Sequence, residues 1–262
     1  MIEDGVSILE TDVNSVKGTP SFSSAVKTLA LMETLATLNG PIGVSDLARM
    51  VGSSRGTVHK RLATLVEAGF VEQDQSGRYG LSLLTTRIGS AALAQAGLGT
   101  RLQAILDQLV AETNETATIA ALHRDQALIV QRAESSEVLN VAIRVGTQLP
   151  LAYSASSLVL QAFALTPKQR SDLRHAGRQL AAENDILSVV QAGMAVSVDE
   201  FVPGLMAVSV PLDDEALSRV VAVTIVGPSV RFDKDAAYAA LLSAQNAVKT
   251  LSRRPSYSSG TR

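Results

Sequence analysis

The stretch Ser45-Asp46-Leu47-Ala48-Arg49-Met50-Val51-Gly52-Ser53-Ser54-Arg55-Gly56-Thr57-Val58-His59-Lys60-Arg61-Leu62-Ala63-Thr64-Leu65-Val66-Glu67-Ala68-Gly69 carries two helical patterns with a glycine-serine break between them. Ser45 stands where an N-cap is wanted, Leu47, Ala48 and Val51 supply a short apolar face, and Gly52 ends the first pattern. After Ser53-Ser54 a second pattern places Val58, Leu62, Leu65 and Val66 on one face and stops at Gly69. Two helices joined by so tight a turn predict a helix-turn-helix. Downstream, 70–73 and 78–81 flank Asp74-Gln75-Ser76-Gly77, which predicts two short strands around a polar turn, a wing. Upstream, Phe22, Val26, Leu29, Ala30, Met32, Leu35 and Leu38 recur at helical spacing until Asn39-Gly40-Pro41 stops them.

With Val58, Leu62 and Leu65 inward, the 100° step of a helix turns Gly56, Lys60 and Ala63 outward, with Thr57 and His59 beside them. Such a face suits the major groove: Lys60 reaches phosphate or guanine, Thr57 and His59 offer hydrogen bonds, and Gly56 lets the backbone approach closely. Glycine inside a helix costs about 1 kcal/mol relative to alanine, a penalty that a neutral surface helix has no reason to carry. Residues 53–61 hold three cations and no carboxylate, although 21–84 as a whole hold six Lys/Arg against five Asp/Glu. Arg78 by the wing turn is placed for the minor groove or the backbone. The expected contacts to double-stranded DNA are therefore Ser54, Arg55, Gly56, Thr57, His59, Lys60, Arg61 and Arg78, with Ser54 equally suited to capping the helix.

Composition narrows what else the chain can be. At 262 residues and 46 % apolar content it has material for two moderate cores, filled mainly by aliphatic side chains because aromatics are 3 % and tryptophan is absent. A net charge of −2 gives no global attraction to polyanions, so a nucleic-acid contact must be local. Without cysteine there are no disulfides or thiolate metal sites, and His59, His123 and His175 are scattered, so no metal and no cofactor are expected. No secretory signal opens the chain and no apolar run is long enough for a bilayer, which predicts a cytoplasmic protein without a membrane partner. The serine run 154–157 lacks a nucleophile elbow, and no phosphate-binding glycine loop or H-E-x-x-H occurs, so no catalytic residues are assigned and an enzyme is not expected.

Beyond the wing, 83–112 reads as helix, broken near Gly97-Leu98-Gly99. The run Leu83, Leu84, Ile88, Ala91, Ala92 and Leu93 suits pairing between two copies. Strands are predicted at 116–123, 126–133, 138–144, 194–199, 205–211 and 219–226, and helices near 154–165, 167–181 and 233–251. The fold class is α+β, with a polar, mobile arm over 1–20, a winged helix-turn-helix over 21–82, a connecting helix over 83–98, a second domain over 99–252 and a mobile tail over 253–262.

The segments Ile42-Gly43-Val44-Ser45-Asp46-Leu47-Ala48, Ser54 to Leu62, Gly69-Phe70-Val71 and Tyr79-Gly80-Leu81, followed by Gly146-Thr147-Gln148-Leu149-Pro150-Leu151, Gly193-Met194-Ala195 with Asp199-Glu200 and Gly204, and Val226-Gly227-Pro228, together span nearly the whole chain. In order and spacing they resemble the IclR-type bacterial regulators. The resemblance implies an N-terminal winged helix, a connecting helix used in dimerisation, and a C-terminal GAF-like α/β domain that binds a small effector. It also implies dimers, or dimers of dimers, on paired half-sites of an operator. Carried over by position, the effector contacts would be Ala155, Ser156, Ser197, Ala207, Thr224 and Val226.

The chain departs from the family at Ala152-Tyr153-Ser154-Ala155-Ser156-Ser157-Leu158, where a His-Ala-x-Ala-x-Gly-Lys run is usual. That segment has hydroxyls and small apolar groups but no cation, which favours an uncharged or aromatic effector. The expected function is a ligand-responsive repressor or activator of a catabolic or metabolic operon, in which the effector biases the arrangement of the C-terminal domains and the 83–97 helix carries this to the wings. The alternative is a small-molecule-sensing module whose winged helix binds protein.

Overall fold

Residues 20–200, 202–213, 217 and 219–252 are described by a computed structural model; residues 1–19 of the expected 1–20 arm and the tail over 253–262 lie outside the described residues, and Pro20, expected in the arm, instead opens the first helix. The chain divides into two compact units between Gly89 and Ser90. In the first, helices α1 (Pro20–Ala36), α2 (Val44–Met50) and α3 (Arg55–Glu67) are followed by a hairpin of β1 (Val71–Gln73) and β2 (Tyr79–Leu81). Leu31, Leu47, Val58, Leu62, Val71 and Tyr79 close one core between these elements. Burying that apolar surface holds α2 and α3, of seven and thirteen residues, which would be marginal in isolation.

Local sequence explains the boundaries, with two corrections. The N-cap of α2 is Gly43, in extended conformation, because the helix starts at Val44; Ser45 is therefore inside the first turn. Val66 is 39 % exposed. It lies about 80° around the helix from Val58, at the edge of the apolar arc. Gly69 ends α3 in the left-handed region at φ 80°, where Gly69 N donates to Val66 O and Phe70 N to Leu65 O. A side chain there would be strained. The hairpin gains a third element that periodicity does not show: Ile42 exchanges both backbone hydrogen bonds with Tyr79, at 2.9 and 2.8 Å.

The division between units falls inside α4 (Thr85–Gln95), a helix without a buried residue. It is shorter than the expected 83–97 helix, because Leu83 and Leu84 occupy a turn before it and Gly97, at φ 74°, follows its end. The second unit opens with the remainder of α4 and α5 (Thr100–Thr113). Its strands β3 (Thr116–His123), β4 (Gln126–Ala133), β5 (Gln148–Leu149), β6 (Ala195–Val198), β7 (Leu205–Leu212) and β8 (Val221–Pro228) form one antiparallel sheet ordered β5-β4-β3-β8-β7-β6. Helices α6 (Ala155–Phe163), α7 (Pro167–His175), α8 (Glu183–Ala192) and α9 (Lys234–Ser252) complete it.

The period-two alternation of β3 and β8 divides their side chains between two cores. Ala117, Ile119, Ala121, Val221, Val223 and Ile225 pack with α5 and α9, whereas Ala120 and Ala222 pack with α6. The result is a helix-sheet-helix sandwich, the GAF-like α/β arrangement.

The strand expected at 138–144 is absent. The free edge of β4 is taken instead by 146–149, with Ile129 N bonded to Thr147 O, Gly146 N to Ile129 O, and Ala127 paired with Leu149. The helix expected over 167–181 ends at His175, because Gly177 turns left-handed and Arg178 N closes back on Leu173 O. Helix α8 and strand β5 are additional to the elements that the sequence pattern predicts.

One ion pair ties the sheet to the start of α9. Arg231 donates from Nε and Nη2 to both oxygens of Glu115 at 2.7 and 2.8 Å, and from Nη1 to Leu139 O at 2.7 Å. Glu115 is buried beside Gly227. The paired carboxylate raises the pKa of Arg231 further.

Candidate nucleic-acid interface and ligand site

Helix α3 starts from Ser54, whose Oγ accepts from Thr57 N at 3.2 Å and lies 2.8 Å from Thr57 Oγ1. Both hydroxyls thus belong to the cap, which fixes the helix N-terminus and the direction of its first turn. Gly56, His59 and Lys60 are exposed, Arg61 and Thr57 half-exposed, and Val58 and Leu62 buried, so the helix turns its predicted polar face to solvent. Among the described residues, Arg55, Lys60 and Arg61 form no ion pair, while the neighbouring Arg49 is paired with Asp46 at 3.2 Å. Three cations without carboxylate partners on one short helix are available to a polyanion.

A Cβ built at Gly56 meets nothing within 4 Å of the rest of the chain. The fold itself therefore has no need of glycine here. Gly56→Ala is expected to stabilise the first unit by about 0.5–1 kcal/mol in urea unfolding, through helix propensity alone, while weakening DNA binding by crowding the groove. Loss of stability in this variant would refute the reading.

The wing is held by one carboxylate. Asp74 Oδ1 accepts from Ser76 N, Ser76 Oγ and Arg78 N at 2.9, 2.6 and 2.9 Å. The Ser76 hydroxyl above all, with the Arg78 amide next, holds the Asp74 carboxyl below its ordinary value. A depressed carboxylate pKa contributes order that is complete above the unfolded-state value and is lost as pH falls through the folded one. The amide resonances of Ser76 and Arg78 are therefore expected to keep their positions on acidification until below the usual aspartate range, whereas Asp74→Ala shifts them already at neutral pH. Arg78 is exposed at the foot of this turn.

In the second unit the N-terminus of α6 lies over β6, β7 and β8, and the six carried-over residues come together there. Register pairs Ser197 with Ala207 and Ala207 with Val226. Ser154 caps the helix by accepting from Ser157 N at 3.1 Å, and Ala155 N donates to Ser197 Oγ at 3.3 Å. Ser156 Oγ sits 2.8 Å from Thr224 Oγ1, which donates to Ser209 Oγ at 2.8 Å. Ser156, Ser209 and Thr224 are buried, so this is a chain of hydroxyls in an otherwise alanine- and valine-lined layer, without a charge. Ser209 is absent from the carried-over set. Its signal was available, since it lies two residues beyond Ala207 and so on the same face of the strand. Among the described residues no group of three or more His, Asp or Glu is arranged to hold a metal, and no helix is long and apolar enough to cross a membrane.

Comparison with known proteins agrees with both halves. The IclR helix-turn-helix domain profile matches residues 24–75, and the profile "Bacterial transcriptional regulator IclR C-terminal" matches residues 90–253. The chain is 29 % identical over 226 residues to the glycerol operon regulatory protein of Streptomyces coelicolor, covering 82 % of this chain and 88 % of that one. It is 24 % identical over 237 residues to the transcriptional repressor IclR of Escherichia coli, covering 85 % and 86 %. The crystal structure of HmgR from Pseudomonas aeruginosa superposes with a TM-score of 0.71 at 28 % identity, covering 88 % of this chain and 99 % of that one. With a helix-turn-helix, a matching C-terminal domain and relatives of nearly full length, the chain belongs to the IclR family of bacterial transcriptional regulators.

Proposed function

We propose that this chain is a ligand-responsive, sequence-specific DNA-binding regulator without catalytic activity, acting in the cytoplasm as a homo-oligomer on an operator of paired half-sites. The observation that carries the reading is the solvent-facing side of α3, where Gly56, His59 and Lys60 stand exposed and Arg55, Lys60 and Arg61 have no ion-pair partner among the described residues. Ser54, Arg55, Gly56, Thr57, His59, Lys60, Arg61 and Arg78 form the DNA surface.

One such surface carries few charges, so affinity depends on two copies acting together. Leu83 and Ile88, 83 % and 52 % exposed, with exposed Ala91 and Ala92, supply an apolar strip for pairing of the connecting helices. The effector binds at Ala155, Ser156, Ser197, Ala207, Thr224 and Val226. Because Ser154 and Ser197 already take the amides of Ser157 and Ala155, the start of α6 has little left to offer an anion, which supports an uncharged or aromatic ligand.

The test is titration of the purified protein by fluorescence anisotropy against its own upstream intergenic DNA and against a scrambled duplex, at low and moderate salt. Preference for the intergenic DNA with a steep salt dependence is expected. Absence of a specific complex at either salt concentration overturns the reading and leaves a protein-binding winged helix.

A further inference from the structure

An open cavity of about 900 Å³ lies between the start of α6, the connection after α7, one face of α8 and the edge strand β6. None of the six residues assigned to the effector lines it, so its description does not depend on that assignment. Its volume is within the range of small-molecule sites. Helix α8 turns Asp185, Ser188, Val189 and Ala192 towards it, a three-and-four spacing that puts one helix face on the cavity. Leu158, Val189 and Ala195 supply apolar lining, and Tyr153, which also lines the cavity, donates its hydroxyl to Gln179 Oε1 at 3.0 Å.

The lining charges are not equivalent. Arg174 is engaged by Glu183 at 2.9 Å and donates to Ala181 O at 2.9 Å, and Arg178 is paired with Asp125. The carboxylates of Asp185 and Glu200 line the same cavity and form no ion pair among the described residues. An anionic ligand would meet two carboxylates without ion-pair partners and, at each arginine, a guanidinium already shared with a carboxylate. A cationic one meets two carboxylates that have no ion-pair partner among the described residues.

We propose that this cavity binds a small amphipathic organic amine, its apolar body against Leu158, Val189 and Ala195 and its ammonium group at Asp185 and Glu200. The experiment is calorimetric titration of the full chain with 2-phenylethylamine and, as the shape-matched anion, 3-phenylpropionate. Saturable binding of the amine and none of the anion is expected. Asp185→Asn and Glu200→Gln should each weaken the amine by at least about tenfold. Ala192→Trp, at an exposed position on the cavity-facing side of α8, should abolish binding by filling the space while leaving the unfolding midpoint unchanged. If Ala192→Trp fails to fold, the two carboxylate variants decide. The proposal is overturned if neither probe saturates, if the anion binds as tightly as the amine, or if the amine binds the carboxylate variants as it binds the parent chain.

Discussion

Gly227→Ala is expected to destabilise the C-terminal unit by about 2–4 kcal/mol, the largest effect foreseen for a single methyl group in this chain. A Cβ at that position would fall inside contact distance of the Glu115 carboxylate. Ordinarily the end of a glutamate side chain swings away at little cost. Here it is buried and gripped through both oxygens by Arg231, so yielding to the new methyl breaks a bidentate ion pair and leaves a buried carboxylate without its partner. Arg231 also anchors Leu139 O, so the irregular 138–144 segment should loosen with it.

Urea unfolding followed by circular dichroism measures the loss, and a double-mutant cycle identifies its cause. In the Glu115→Ala background the clash is gone, and Gly227→Ala should cost much less than it does alone. Additive effects of the two substitutions would rule out the carboxylate as the reason for glycine at 227.

Lys60→Ala is expected to weaken binding to the specific duplex by roughly 1–3 kcal/mol per half-site without changing the unfolding midpoint. The side chain is exposed and has no ion-pair partner among the described residues, so its removal takes nothing from the core. What α3 retains at that residue is backbone: Lys60 O still accepts from Thr64 Oγ1. If Lys60 reads a base, the loss is confined to the specific duplex; if it neutralises phosphate, specific and scrambled DNA weaken alike and the salt slope falls by about one. Unchanged affinity for both duplexes would place the reading face elsewhere on the helix.

The two variants probe regions that differ in how readily they could be inferred. Around α3 the decisive relations are local. Ser54 and Thr57 are three residues apart, Val58 and Leu62 four, and a period of 3.6 converts those separations directly into faces. The inward and outward sides of the helix therefore followed from spacing, and only Val66, at the margin of the apolar arc, was misplaced. Glycine at 56 could be recognised as out of place in a helix; that the surrounding fold leaves its space empty could not. In the second unit, α8 and β5 escaped notice, and the apolar residues of 138–144 suggested a strand for which β4 had no free edge.

Residue types and short-range periodicity by themselves determined the helix-turn-helix, the wing and the sorting of strands from helices over most of the chain. Tertiary structure alone decided the rest. It set Glu115 against Gly227 and Arg231, the latter 116 residues away in sequence, joined Ser156 to Thr224 and Ser209, and opened a cavity beside β6. The physical reason is that a helical or strand period propagates only along its own element. Which edge pairs, which carboxylate is buried and where space remains depend on how several elements compete for the same surface.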